Sequence, residues 1–198
     1  MGERAMNGQI QEAEYALINA LGTIVAAVGA TPNVTIPEQL KGELGIIGNA
    51  LQAAGSALDA NKSDGLDAIG DGTQAFGNSL VIYGAIAHGP EENGIRATLN
   101  GNWLQALGGS LSLHSNLVSE ERNRSVALSV IGNLLQIAGN SLQGASSILR
   151  LNQTADETKS ERIDTTGSWV QAIGAVLSFL AVLDQVGMDE DKLFKNPY

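Results

Sequence analysis

Large apolar residues in this chain recur at helical spacing, and glycine recurs with them. In the stretch 101–111, GNWLQALGGSL, Trp103, Leu104, Leu107 and Leu111 fall on one stripe at about 100° per residue. Gly101 and Gly108 lie almost in line beside that stripe with Gln105 close by, whereas Asn102 and Gly109 lie on the far side. The block returns as GNALQAAGSAL from Gly48, GDGTQAFGNSL from Gly70, GNLLQIAGNSL from Gly132 and GSWVQAIGAVL from Gly167. A weaker copy, YALINALGTIV, starts at Tyr15 without the leading glycine and with Asn19 in place of glutamine. The third copy departs differently, with Gly72 and Thr73 where the others carry bulkier residues.

Six copies at this spacing predict six helices, near 8–29, 36–60, 64–88, 91–115, 119–150 and 155–186. Punctuation agrees with those bounds. Thr35–Glu38 and Thr154–Glu157 match the capping-box pattern, and Ser119 before Glu120 and Glu121 offers another N-cap. Gly89 suits a left-handed stop, with Pro90 able to open the next helix. Links this short make consecutive helices antiparallel. The fold class is therefore all-α, an up-and-down antiparallel bundle of six helices built from a degenerate G-[NS]-x-[LV]-Q-[AI]-x-G repeat. One domain is expected over 1–186, followed by a polar tail, 187–198, that is extended or loosely docked through Phe194 or Tyr198.

Glycine costs about 1 kcal/mol relative to alanine inside a helix, so its recurrence needs a return. Close approach of neighbouring backbones supplies one. The expected helix-packing positions are Gly22, Gly48, Gly55, Gly70, Gly77, Gly101, Gly108, Gly132, Gly139, Gly167 and Gly174. Because each motif sits near mid-helix, antiparallel neighbours bring them to one height. Asn19, Gln52, Gln74, Gln105, Gln136 and Gln171 then form an amide belt. Its simpler reading is a set of register-fixing hydrogen bonds; its sharper one is a polar lining for a ligand cavity or channel. The apolar stripes are expected to face the core, with Trp103 and Trp169, which share a repeat position, as anchors.

Composition changes this picture in one respect. Charged residues make up 16% of the chain, below the usual quarter or so. They crowd at helix ends and links: none occurs between Glu14 and Glu38, Arg96 and Glu120, Arg124 and Arg150, or Asp164 and Asp184. A helix back face of Asn, Ser, Thr and Gly is unusual against water. It points to coverage by another subunit, and so to a homo-oligomer.

Runs of this length could also span a bilayer. Against that stand the Asn, Gln or Ser near the centre of each run, and an even split of Lys and Arg between the two sets of links. A membrane partner is thus possible but not favoured. Nucleic acid is disfavoured by a formal net charge of −10 with no basic cluster. No cofactor or metal is expected: cysteine is absent, His88 and His114 sit at helix ends, and no GxSxG, HExxH or P-loop pattern occurs. MGERAMNGQIQEAEY shows no secretory signal.

The blocks GNWLQALGG and GSWVQAIGAVL resemble a family of uncharacterised, repetitive helical proteins from Bacillus-type spore-forming bacteria, over about 15–185. The resemblance implies an intracellular or spore-associated bacterial protein and carries no activity with it. The sequence alone thus supports a non-enzymatic structural or self-associating protein. The alternative is a membrane-active or pore-forming bundle that is soluble before insertion.

Overall fold

The computed structural model describes residues 2–32, 34–153 and 156–195. Among them the chain forms α1 (Gly2–Gly29), α2 (Glu38–Ala60), α3 (Gly65–Tyr83) with a π-turn at Gly84–His88, α4 (Glu92–Val118), α5 (Arg124–Asn152) and α6 (Glu157–Lys195). Each helix packs on its neighbours in sequence, and α6 also packs on α1, so the six close into a ring. The Thr165 hydroxyl donates to the Ala30 carbonyl at 2.6 Å across that closing seam, and Trp169 Nε1 donates to Thr31 Oγ1 at 3.0 Å.

The helix ends differ from expectation in several places. Ser119 does not cap α5: Asn123 does, its Oδ1 accepting from the Val126 amide at 2.9 Å. The link is therefore 119–123, and α4 runs on to Val118. Pro37 rather than Thr35 precedes α2, with no side-chain cap; Thr154 lies outside the described residues. The third helix loosens into the π-turn where α4 presses on it. A β-carbon on Gly84 would lie 2.7 Å from the Gly94 carbonyl oxygen. Gly89 then ends the turn at a φ of 56°, which glycine adopts without strain. The segment 187–195, expected to be extended or loosely docked, is not extended but the last part of α6; Tyr198 lies outside the described residues.

Within each hairpin the repeat glycines face one another in antiparallel register. A methyl on Gly77 would meet the Gly101 carbonyl oxygen at 2.6 Å, and one on Gly139 would meet that of Gly167 at 2.6 Å. Gly22 faces Gly48, Gly70 faces Gly108, and Gly132 faces Gly174 in the same way. Gly55 faces the Tyr15 carbonyl at 2.9 Å, in the slot where the first copy has lost its glycine. Thus three glycine-seamed hairpins, α1–α2, α3–α4 and α5–α6, assemble around one axis.

The expected placement of the apolar stripes is overturned. Among the described residues the buried apolar side chains are all alanines, such as Ala27, Ala106, Ala172 and Ala181. The buried polar set is larger and includes Gln52, Gln105, Gln171, Asn78, Asn102 and Asn140. Trp103 and Trp169 are not core anchors: they are 46% and 39% exposed, and Leu107, Phe76 and Ile173 stand further out still. The face of Asn, Ser and Gly looks inward and the leucine-rich face looks outward. The physical reason lies in the seams. The first glycine, Gln105 and the second glycine must point at the partner helix and the axis, which leaves Trp103 and Leu107 facing away, with Leu104 half-buried at the edge.

Candidate functional site: a polar axial interior

The six amides of the repeat fall into two sets of three. Side chains on a helix lean towards its N-terminus. Alternate helices run in opposite directions, so their amides lean towards opposite ends of the bundle. Gln52, Gln105 and Gln171, from α2, α4 and α6, meet on the axis. Gln171 Nε2 donates to Gln52 Oε1 at 2.9 Å and to Gln105 Oε1 at 3.2 Å, joining helices that are not neighbours in the ring. Gln171 Oε1 accepts from Gln143 Nε2 at 2.9 Å. All three repeat glutamines are buried.

Asn19, Gln74 and Gln136, from α1, α3 and α5, lie on the other side of this cluster. They line a cavity of about 100 Å³ together with Ser56, Ser112 and Ser178. Asn19 Nδ2 donates to Ser56 Oγ at 2.9 Å, and Gln136 Nε2 to Ser178 Oγ at 3.0 Å. Asp59 and Asp71 also line it, with Asn133. Burial, then repulsion from Asp71 and Glu12, pushes the Asp59 carboxyl up to about 8. Burial pushes Asp71 up to about 7, against a hydrogen bond from Ser63 that favours its ionised form. Both groups sit just outside the charge-free segments of α2 and α3.

Towards the opposite end, on the Gln143 side, the interior widens into a cavity of about 830 Å³. Its wall is mostly uncharged: Asn49, Thr98, Asn102, Gln143, Ser147 and Ser168 supply amides and hydroxyls between alanines and glycines. Charge appears towards the mouth, with Lys41 bonded to Glu38 at 2.7 Å, and with Arg150, Glu161 and Asp164. Gln143 was missed by the repeat, which ends before it. The signal was nevertheless present, because Gln136, Gly139, Gln143 and Ser147 continue one stripe at three- and four-residue steps.

Two buried acceptors, Asn78 Oδ1 and Asn140 Oδ1, have no hydrogen-bond partner. They occupy equivalent positions, one residue after the second glycine of their copies. Buried acceptors are normally satisfied by protein or by water. His88 accompanies Tyr83 at the π-turn, edge to face at 5.5 Å, and His114 is exposed; neither enters the interior cavities. No group of three His, Cys, Asp or Glu side chains able to hold a metal occurs among the described residues.

No curated protein and no solved structure matches the chain. A family model does match, over residues 14–179, a span that runs from the first repeat block into α6 and takes in the whole polar interior. The chain belongs to this family of unknown function, DUF6944.

Proposed function

We propose that the protein is a non-enzymatic helical bundle that works embedded in a lipid bilayer, with its polar interior as the functional element. The observation that carries this is the inversion: large apolar side chains outside, amides and hydroxyls inside. A fold in which, among the described residues, alanine alone is a fully buried apolar side chain gains little from excluding water, so its outer face needs a cover. Lipid fits the distribution of charge. The segments 15–29, 44–58, 72–87, 97–118, 125–149 and 165–183 carry no Asp, Glu, Lys or Arg. At 1.5 Å per residue they make a band about 22 to 37 Å tall, against a hydrocarbon core of roughly 30 Å.

The central amides, which argue against a membrane when read along the sequence, argue for one when placed in space. Polar groups in membrane bundles face inward and bond to each other, as Gln52, Gln105 and Gln171 do. Close glycine seams supply the packing that helices in lipid rely on. Two helices, Arg124–Asn152 and Glu157–Gly187, are apolar enough to span a membrane on composition alone. The glutamines that meet on the axis donate and accept hydrogen bonds without transferring protons at neutral pH, hence the non-enzymatic reading.

Flotation of the purified chain with liposomes tests the proposal. Migration with the lipid that survives high salt and alkaline wash supports it; recovery as a lipid-free monomer in the aqueous fraction overturns it. A second reading is self-association in water, with copies covering the same face. It is favoured by a mean hydropathy of only +0.03 and by outward Asn100, Ser79 and Ser110 among the apolar residues. Light scattering over a range of concentrations without lipid separates the two, since only the second requires stable oligomers there.

A further inference from the structure

The interior is more than a packed polar core. It is hollow on both sides of a single constriction, wide on the Gln143 side and narrow on the Asp59 side. Along α2, α4 and α6 the glutamine cluster lies between the residues that line the one cavity (Asn49, Asn102, Ser168) and those that line the other (Ser56, Ser112, Ala175), and its bonds run from side chain to side chain across the axis rather than to the backbone. Such a closure can be undone by rotamer changes alone, with no helix displaced. We propose that the axis is a conduit for small uncharged polyols of about glycerol size, and that Gln52, Gln105 and Gln171 form its gate. This rests on the bilayer reading above.

The choice of solute follows from the wall. Over the charge-free band the interior offers amides and hydroxyls, which exchange hydrogen bonds with a hydroxylated solute one for one. Asn49, Asn102 and Gln143 of the wide cavity and Asn133 of the narrow one present amides to such a solute, and Ser147, Ser168 and Ser112 present hydroxyls. A permeating ion would cross the same length with no fixed counter-charge, because Asp59 and Asp71 stand at one end and Lys41, Arg150 and Asp164 at the other. The wide cavity, about 830 Å³, admits such a solute with its water; the constriction between bonded glutamines does not, until the amides part.

The full chain reconstituted into liposomes tests this, with insertion first verified by flotation. Vesicle reswelling after a glycerol shock reads solute flux, and a potassium-sensitive dye reads ion flux. Gln171→Ala removes the amide that links the other two, and is expected to raise glycerol flux about tenfold over the wild type. Thr98 lines the wide cavity and the chain has no cysteine. Thr98→Cys therefore places one thiol there, and a bulky thiol reagent added after reconstitution is expected to abolish the flux in a Thr98→Cys, Gln171→Ala double variant. That arm keeps the test independent of folding, because the same vesicles are compared before and after labelling. Glycerol flux unchanged by Gln171→Ala in inserted protein overturns the gate and conduit while leaving the bilayer reading intact. Potassium flux equal to or above glycerol flux overturns the solute class. Failure to insert at all overturns the bilayer reading and the conduit together.

Discussion

The helical glycines divide into two physical classes, and one substitution made in each class should give opposite signs. At Gly139 an added β-carbon would meet the Gln171 amide nitrogen and the Gly167 carbonyl oxygen, each at 2.6 Å, and Gln171 Cβ at 2.7 Å. Two of those three atoms are backbone, so no rotamer change relieves the overlap. To restore an ordinary contact of 3.4 Å or more, α5 and α6 must part by the better part of an ångström. A gap of that size forfeits a quarter to a half of the dispersion energy of the atoms that line it. Over-packing of this kind costs about 1–3 kcal/mol, and the seam, tight on both sides, belongs at the upper half of that range. Alanine returns about 1 kcal/mol of helix propensity. The net for Gly139→Ala is a loss of about 1–2 kcal/mol. At Gly45, inside α2, nothing lies within 4 Å of the added carbon, so only the propensity gain remains. For a chain of this length each kcal/mol moves the melting temperature by about 2–4 °C. Gly139→Ala should therefore melt about 2–8 °C below wild type and Gly45→Ala about 2–4 °C above it, by far-ultraviolet circular dichroism in one detergent. A Gly139→Ala protein as stable as wild type would refute the claim that backbone proximity is what glycine supplies.

Three further outcomes follow from the same packing. Gln171→Leu leaves two buried oxygens, on Gln52 and Gln105, without their donor and should cost about 2–4 kcal/mol; the triple replacement of Gln52, Gln105 and Gln171 by leucine should recover most of it in thermal melts. Because burial raises the Asp59 and Asp71 carboxyls well above the ordinary aspartate value, the fold holds protons that the unfolded chain releases. Stability should then fall as pH rises from about 4 towards 8, and Asp71→Asn should flatten that slope in melts taken across the range. Trp103 and Trp169 face outward, so lipids brominated along their acyl chains should quench the protein's fluorescence strongly, whereas aqueous iodide should not; the reverse pattern would place the face in water.

How much of this was legible in the residues depends on which relation is asked for. The helices and their antiparallel order followed from the repeated block and short links, because local periodicity and chain connectivity determine both. Boundaries failed where tertiary contact or cap chemistry competes with propensity. Asn123 outcompetes Ser119 as a cap because its side-chain oxygen reaches the Val126 amide. The third helix loosens at Gly84 because α4 crowds it there. The split of the amides into two sets of three follows from alternating helix direction and side-chain lean, both of which the repeat and its short links already contain.

The inside-out placement was the harder matter, and its cause is general. An amphipathic period shows that a helix has two faces but not which of them meets the axis. Apolar residues are assigned inward because water normally supplies the driving force. The discriminating signal is on the polar face itself: a face meant for water carries lysine and glutamate, and these six carry glycine, serine and amides. Glycine on that face is decisive, since a smooth surface gains nothing in water yet lets two backbones touch. Once the glycines are assigned to the seams, the geometry of the block forces Gln105 towards the axis and Trp103 and Leu107 away from it. The packing signature and the polar interior are therefore one property of the repeat. A replacement that moves the glycines off the seam, such as exchanging Gly101 with Asn102 and Gly108 with Gly109-flanking Ser110, should collapse both together, with the loss of hairpin packing and the loss of the glutamine cluster appearing in the same variant.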